Sequence, residues 1–242
     1  MRFSLIFQLN NAEFPIDKNP CFISFFKKSL SEYENGEYYD NYFATAAQKN
    51  YAFSVLMPDS VFHKEKIMVP RKIIKVFFSS NDGNTAIKFY NSFLFQKNKS
   101  FQLPLNNAMT LTQVNMELEK EIKSNQILIQ MNSPLCLRIH DRTSNQDTYL
   151  ESSDPGFERT LRFIVQNQVK IEEEITDEMV EEFRCIPFQA KKTVVLHHGQ
   201  FITCNIGTFG LFGNPKLLTY LYRNGLGSRK NGGFGLFQIM KQ

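Results

Sequence analysis

The sequence predicts an α+β chain in which the order strand, helix, strand, strand, helix, strand occurs twice, each time around an antiparallel sheet. Three observations carry that prediction. Short apolar runs of strand character are interleaved with stretches whose apolar residues recur every three or four positions. Each half supplies two such helical stripes, enough to cover one face of a sheet. A short charged and polar stretch, Glu119 to Asn125, separates the two passages and reads as a hinge. The predicted domains are residues 1–121 and 122–242. A chain of 242 residues also suits one large mixed α+β domain, and the two halves share little residue identity, so that alternative stays open.

Phe3 to Leu9 alternates as a strand, and Phe22, Phe25, Phe26 and Leu30 follow at helical spacing. Tyr51 to Met57, closed by Pro58, reads as a strand, as do Lys66 to Val69 and Ile73 to Phe78, with Pro70 between them. Asn81-Asp82-Gly83-Asn84 is a turn and capping signal ahead of a second helical stripe, Ala86, Phe89, Tyr90, Phe93 and Leu94. Leu111 to Leu118 completes the first half as an alternating strand. In the second half, Ile127 to Met131 and Leu135 to Ile139 read as strands. A helix is expected near Asp154-Pro155, with Pro in the first turn and Leu161, Ile164 and Val165 facing inward. Strands at Thr193 to Leu196 and Thr208 to Phe212 come next. Asn214-Pro215 opens a helix carrying Leu217, Leu218 and Leu221, and Phe234 to Met240 closes the chain as a strand. Two tandem ferredoxin-like (βαββαβ) units are the preferred architecture.

A hydrophobic fraction of 42% and a charged fraction of 21% exclude long disorder and fibrous classes. Cys21, Cys136, Cys185 and Cys204 are scattered, without a C-x-x-C pair or a His at ligand spacing, so reduced buried thiols and no metal are expected. The apolar run at the N-terminus is short and alternates like a strand, unlike a signal peptide, and no run approaches the roughly 20 apolar residues of a membrane span. A cytoplasmic protein with no membrane partner is the expectation. The formal charge of +4 hides a more basic remainder. Glu172, Glu173, Glu174, Asp177, Glu178, Glu181 and Glu182 lie together, and without those seven carboxylates the rest of the chain carries +11. Such an excess attracts polyanions by counterion release. The acidic run itself reads first as a solvated helix face.

Five of the twelve glycines fall in one connection, Asn224-Gly225-Leu226-Gly227-Ser228-Arg229-Lys230-Asn231-Gly232-Gly233-Phe234-Gly235. Glycine tolerates positive φ, and backbone N–H groups freed of side-chain bulk can face phosphate oxygens, with Arg229 and Lys230 adding charge. The spacing is not G-x-G-x-x-G, the segment follows a helix, and no Gly-Lys-Ser or Gly-Lys-Thr is present, so dinucleotide and P-loop readings fail. On glycine content alone, a loop whose glycines permit close backbone approach explains the segment equally well.

The flanks make the segment specific. Leu221-Tyr222-Arg223-Asn224 followed by Gly225 to Ile239 resembles the C-terminal signature of the CRISPR-associated repeat-RNA endoribonucleases, in the repeat-associated mysterious protein (RAMP) superfamily. Lys49-Asn50-Tyr51-Ala52-Phe53-Ser54 is similar to that family's Lys-x-Phe-Thr-Phe-Ser strand, and Ser133-Pro134-Leu135 to its Ser-Pro-aliphatic strand. Asn205-Ile206-Gly207 with Gly213-Asn214-Pro215 is similar to its approach to the last helix. The resemblance covers essentially the whole chain. It implies two ferredoxin-like domains and metal-independent cleavage of precursor CRISPR RNA within each repeat, by 2′-hydroxyl attack giving a 2′,3′-cyclic phosphate and a 5′-hydroxyl. No cofactor is expected, CRISPR repeat RNA is the expected ligand, CRISPR interference complex proteins are candidate further partners, and the oligomeric state is left open between monomer and homodimer.

Cutting RNA without a metal requires a base or acid near neutral pH and a cation for the phosphorane. Members of the family commonly place a His just before the Lys-x-Phe-Thr-Phe-Ser strand. Here Asp40 to Lys49 contains none, and the first His is His63. Lys49 matches the family's lysine and is the candidate for stabilising the phosphorane. Tyr39 and Tyr42 are candidates to donate a proton or orient the 2′-hydroxyl, and His140 is a candidate replacement acid. The candidates for RNA binding are Lys27, Lys28, Gly225, Gly227, Ser228, Arg229, Lys230, Asn231 and Gly233. Plainer readings stand beside these: a strand cap for Lys49, packing for the tyrosines, a solvated face for Lys27 and Lys28, an exposed turn for His140. His197 and His198 are adjacent on a strand and face opposite sides. Two other functions stay open, a family member that binds repeat RNA without cutting it, and a ferredoxin-like module docking a protein through the acidic run.

Overall fold

Alternation of Phe3, Leu5 and Phe7 toward one side places the first strand at the heart of a sheet. The computed structural model describes residues 1–45 and 49–242. It divides into two units, Met1–Leu118 with Leu196–Gln200, and Glu119–Val195 with Phe201–Gln242. In the first unit the elements are β1 (Arg2–Leu9), α1 (Asn19–Glu32), β2 (Ala52–Leu56), β3 (Ile73–Ser79), α2 (Gly83–Phe95) and β4 (Asn107–Met116). They form an antiparallel sheet in the order β2-β3-β1-β4, extended beside β4 by Ser100–Leu103. Phe22, Phe25, Phe26 and Leu30 of α1 and Phe89 and Phe93 of α2 bury against Phe3, Phe7 and Phe78. The phenylalanine-rich composition is spent here on ring contacts, such as Phe3 stacked on Phe78 at 4.9 Å and Phe26 against Phe93 at 5.1 Å. Such pairs add roughly 0.5–1.5 kcal/mol each beyond area burial. The expected cap forms: Asp82 accepts hydrogen bonds from the backbone N–H groups of Asn84 and Thr85, at 3.2 and 3.0 Å. The strand expected at Lys66 to Val69 forms as Lys66–Met68, but pairs with Glu13–Pro15 and Val61–Phe62 in a small side sheet.

The second unit repeats the order with β5 (Gln126–Met131), α3 (Phe157–Val169), β6 (Arg184–His197), β7 (Gln200–Phe212), α4 (Pro215–Asn224) and β8 (Phe237–Lys241). Its sheet runs β6-β7-β5-β8, the same arrangement as in the first unit. Ile127, Ile129, Phe209 and Leu211 from the sheet meet Leu161 and Val165 of α3 and Leu217, Leu218 and Leu221 of α4 in the core. The fold class is thus two ferredoxin-like units with antiparallel sheets.

Four local expectations are corrected. Strands β6 and β7 extend well beyond Thr193–Leu196 and Thr208–Phe212, because Ile186 to Gln189 are exposed and show no inward alternation. Leu135 joins the sheet only through a single bridge to Asn205, after which the chain leaves as a two-stranded ribbon, Arg138–Asp141 paired with Gln146–Tyr149. The helix expected near Asp154-Pro155 begins at Phe157, after a turn. The acidic run is not one helix face: only Asp177–Glu181 is helical, capped by Thr176, and Glu172 to Glu174 lie outside any helix. All four cysteines are buried and unpaired by disulfide. Among the described residues no helix is long and apolar enough to cross a membrane.

Candidate functional site

Helix α4 opens as the sequence predicts, with the Asn214 side chain accepting from the Lys216 N–H at 2.9 Å and Pro215 in the first turn. It ends at Gly225, and the glycine-rich segment then folds onto the rest of its unit. Packing sets the need for glycine at Gly235: φ is +72°, and a Cβ there would lie 2.0 Å from the Leu226 carbonyl oxygen. The backbone donors are largely occupied. Gly225 N–H reaches Leu221 O at 2.8 Å, Ser228 reaches Cys136 O at 2.8 Å, Gly233 reaches Lys230 O at 3.2 Å and Gly235 reaches Pro134 O at 2.9 Å. The N–H groups of Gly225, Ser228 and Gly233, expected at a phosphate, are therefore engaged inside the fold. Lys230 also differs from the exposed cation expected. It is 5% exposed. Burial pushes its ammonium down to about 7, against the charge of Glu172. Ser228 and Asn231 are half-buried and Gly227 is buried.

Arg229 points instead to the ribbon, donating to Asp147 Oδ2 at 3.1 Å and to the Tyr149 hydroxyl at 2.8 Å. Asp147 also receives Arg138 at 3.2 Å on Oδ2, and its Oδ1 lies 2.8 Å from His140 Nδ1. The ribbon register explains the cluster. His140 pairs with Asp147 and Arg138 with Tyr149, so all four side chains share one face. Burial would raise the Asp147 carboxyl, yet hydrogen bonding from His140 and the charge of Arg138 hold it below the ordinary aspartate value. Burial raises the Tyr149 phenol, with Arg229 opposing. Sequence reasoning found His140 and Arg229 but missed Arg138, Asp147 and Tyr149. The signal available was the i, i+2 spacing of Arg138 with His140 and of Asp147 with Tyr149 across a turn.

In the first unit Lys49 lies three residues before β2, is 8% exposed, and its Nζ donates to the Thr45 carbonyl at 3.0 Å. Burial lowers its pKa, and among the described residues no carboxylate forms an ion pair with it. Tyr42 lies in the short helix Tyr39–Phe43, its ring 4.9 Å from Phe89. Its hydroxyl donates to Thr85 Oγ1 at 3.0 Å, and that hydroxyl donates to the Asp82 cap at 2.6 Å. Burial raises the Tyr42 phenol. Tyr42 thus braces the N-terminus of α2. Tyr39 is half-buried with its ring 5.4 Å from Phe43, and the exposed Lys27 lies over the same Phe43 ring at 5.5 Å. Lys28 is drawn to Glu32, 3.6 Å away and one turn along α1. Residues 46–48 of the His-free stretch lie outside the described residues. The expectation that His197 and His198 face opposite sides of a strand is corrected: the strand ends at His197, which is buried, while the exposed His198 sits in the turn at φ +51° with the two rings 4.4 Å apart; His63 is exposed. Among the described residues no three His, Cys, Asp or Glu side chains gather as a metal site.

Residues 117–239 match the family model for CRISPR associated protein Cas6, C-terminal. No curated protein matches the sequence. Among solved structures, a Cas6-related gene product from Pyrococcus furiosus superposes over 100% of this chain and 99% of its own, with TM-score 0.87 and 17% identity. A RAMP protein described as binding different RNA substrates superposes over 100% of both chains, with TM-score 0.85 and 14% identity. A CRISPR associated protein Cas6 covers 100% of this chain and 99% of its own, with TM-score 0.80 and 16% identity. At these identities the structural likeness speaks for the fold alone.

Proposed function

The chain belongs to the CRISPR-associated Cas6 family, and on that premise we propose that it binds CRISPR repeat RNA and cuts precursor CRISPR RNA within the repeats. The observation that carries the reading is the family match over residues 117–239, which takes in α4 and the whole glycine-rich segment. The reaction is attack of a ribose 2′-hydroxyl on the adjacent phosphorus, with departure of the 5′-oxygen and formation of a 2′,3′-cyclic phosphate, and it calls for no metal. The basic excess outside the acidic run supports attraction of the RNA backbone, with the salt dependence that counterion release imposes.

Lys49 stabilises the phosphorane. An ammonium carries three donors, and among the described residues one is engaged, by the Thr45 carbonyl, which leaves two for phosphate oxygens. Tyr39 orients the 2′-hydroxyl, with Lys27 beside it for the backbone. Tyr42 acts behind them by holding the α2 cap. In the second unit, His140 is the candidate proton donor and Arg229, in the glycine-rich segment beside the ribbon, serves the RNA backbone. RNA of this kind is selected largely by its shape and by splayed single-stranded bases, and Cas6 family membership supports the repeat as its ligand.

Incubating end-labelled repeat RNA with the purified protein in EDTA tests the reading. One uniform cut ending in a cyclic phosphate supports it, and cleavage that appears only with added metal overturns it. A second reading, binding without cutting, is favoured by the missing His between Asp40 and Lys49 and by the engaged hydroxyl of Tyr42. A tight gel shift with intact RNA selects that reading.

A further inference from the structure

We propose that His140 and Asp147 form the proton-donating pair of the cleavage reaction, Asp147 acting as a positioning residue that presents the His140 imidazole to the leaving oxygen beside Arg138 and Arg229. The inference rests on the cleavage reading above.

A carboxylate only accepts hydrogen bonds, so the 2.8 Å contact to Asp147 Oδ1 requires His140 Nδ1 to carry a proton. Nε2 is left as the nitrogen that gains and loses a proton, at a side chain 38% exposed and open to a large ligand. Asp147 Oδ1 holds the imidazole, and Arg138 and Arg229 are both bound to Asp147 Oδ2. Tyr149 is neutral and ties Arg229 to the ribbon. Asp141, on the same strand, is spent on the turn, where it holds the Thr143 N–H and the Ser144 hydroxyl. Both guanidiniums keep donors free, since only Nη1 of Arg138 and Nη2 of Arg229 bind Asp147. Two cations and an oriented imidazole on one face of a ribbon suit a phosphodiester.

In the step, the 2′-oxygen forms its bond to phosphorus and gives its proton to water as the phosphorus–O5′ bond breaks. The imidazolium passes its Nε2 proton to O5′. The product histidine is neutral with its remaining proton on Nδ1, the tautomer that Asp147 holds.

His140→Asn tests the pair, because its amide can still donate to Asp147 and keep the ribbon closed while offering no titratable proton. Single-turnover cleavage in EDTA should fall by about 10²-fold or more, a loss usual for a positioned acid, with repeat-RNA affinity by gel shift held within about threefold. In Asp147→Asn the maximal single-turnover rate should fall by about tenfold while the protein concentration giving half-maximal cleavage holds within about threefold, because the imidazole is no longer held toward the leaving oxygen. His140→Asn cutting at the wild-type rate, or an Asp147→Asn loss that lies in affinity and not in the maximal rate, overturns the inference and leaves the cleavage reading standing. Wild-type protein that binds repeat RNA and never cuts it overturns both.

Discussion

Replacing Gly235 by Ala should damage the second unit severely. At φ +72° a side chain enters the left-handed region, which costs an L-residue roughly 1–2 kcal/mol. The new Cβ would stand 2.0 Å from Leu226 O, a backbone atom with no rotamer to change. Separation breaks the bonds from Leu226 N–H to Gly235 O at 2.8 Å and from Gly235 N–H to Pro134 O at 2.9 Å. Each is worth about 1 kcal/mol net, and more where the groups stay buried. The sum is about 3–5 kcal/mol. Gly83→Ala is the matched control, since it opens α2 with nothing within 4 Å of a built Cβ and no positive φ. It should be neutral or stabilising by up to about 1 kcal/mol. The chain has no Trp, so urea unfolding is followed by far-UV circular dichroism. Should two transitions separate, only that of the second unit moves with Gly235→Ala. A loss below about 1 kcal/mol at unchanged slope would refute the account of the segment as a packed structure.

Lys49→Met should lower single-turnover cleavage by about 10²–10³-fold. Its thermal midpoint should hold or rise, because burial works against the ammonium in the folded chain. A loss under tenfold removes Lys49 from the chemistry. Asp82→Ala should cost about 1–2 kcal/mol at neutral pH by uncapping α2. Burial works to raise the Asp82 carboxyl, but its bonds from Thr85 and Asn84 outweigh this and bring it below the ordinary 3.8. A depressed folded pKa means the ionised form contributes stability above the unfolded value, and that contribution fades as pH falls through the folded one. The gap between wild type and Asp82→Ala should therefore narrow below about pH 4. A gap that stays constant into strong acid contradicts the cap assignment.

The two ferredoxin-like units were legible because their strands and helices bury one side each, leaving the period in the residues: Phe3, Leu5, Phe7 at two, Phe22, Phe25, Phe26 near three and a half. Asp82 and Asn214 were legible because a cap is a local contract between a short polar side chain and the next backbone donors. The ribbon was not, since Arg138 to Asp141 is exposed throughout and Gln146 to Tyr149 buries nothing fully, so neither strand carries an apolar period. His140 could be named from its chemistry, but its partner Asp147 follows only from a register that side-chain burial did not fix. Lys230 misled for the opposite reason: a lysine in a polar, glycine-rich string reads as solvated, and only the folded loop covers it.

The packed glycine-rich segment separates two kinds of information that one motif usually merges. If its glycines answer to neighbouring carbonyls, as Gly235 does to Leu226, then the motif is a mark of how the chain closes on itself. It would persist in a sibling protein that had lost every turnover, because losing it would unfold the unit before any ligand was missed. Kinship is written in the loop's spacing. Activity is written in side chains that can change without disturbing it, such as His140, whose loss would leave the segment looking intact.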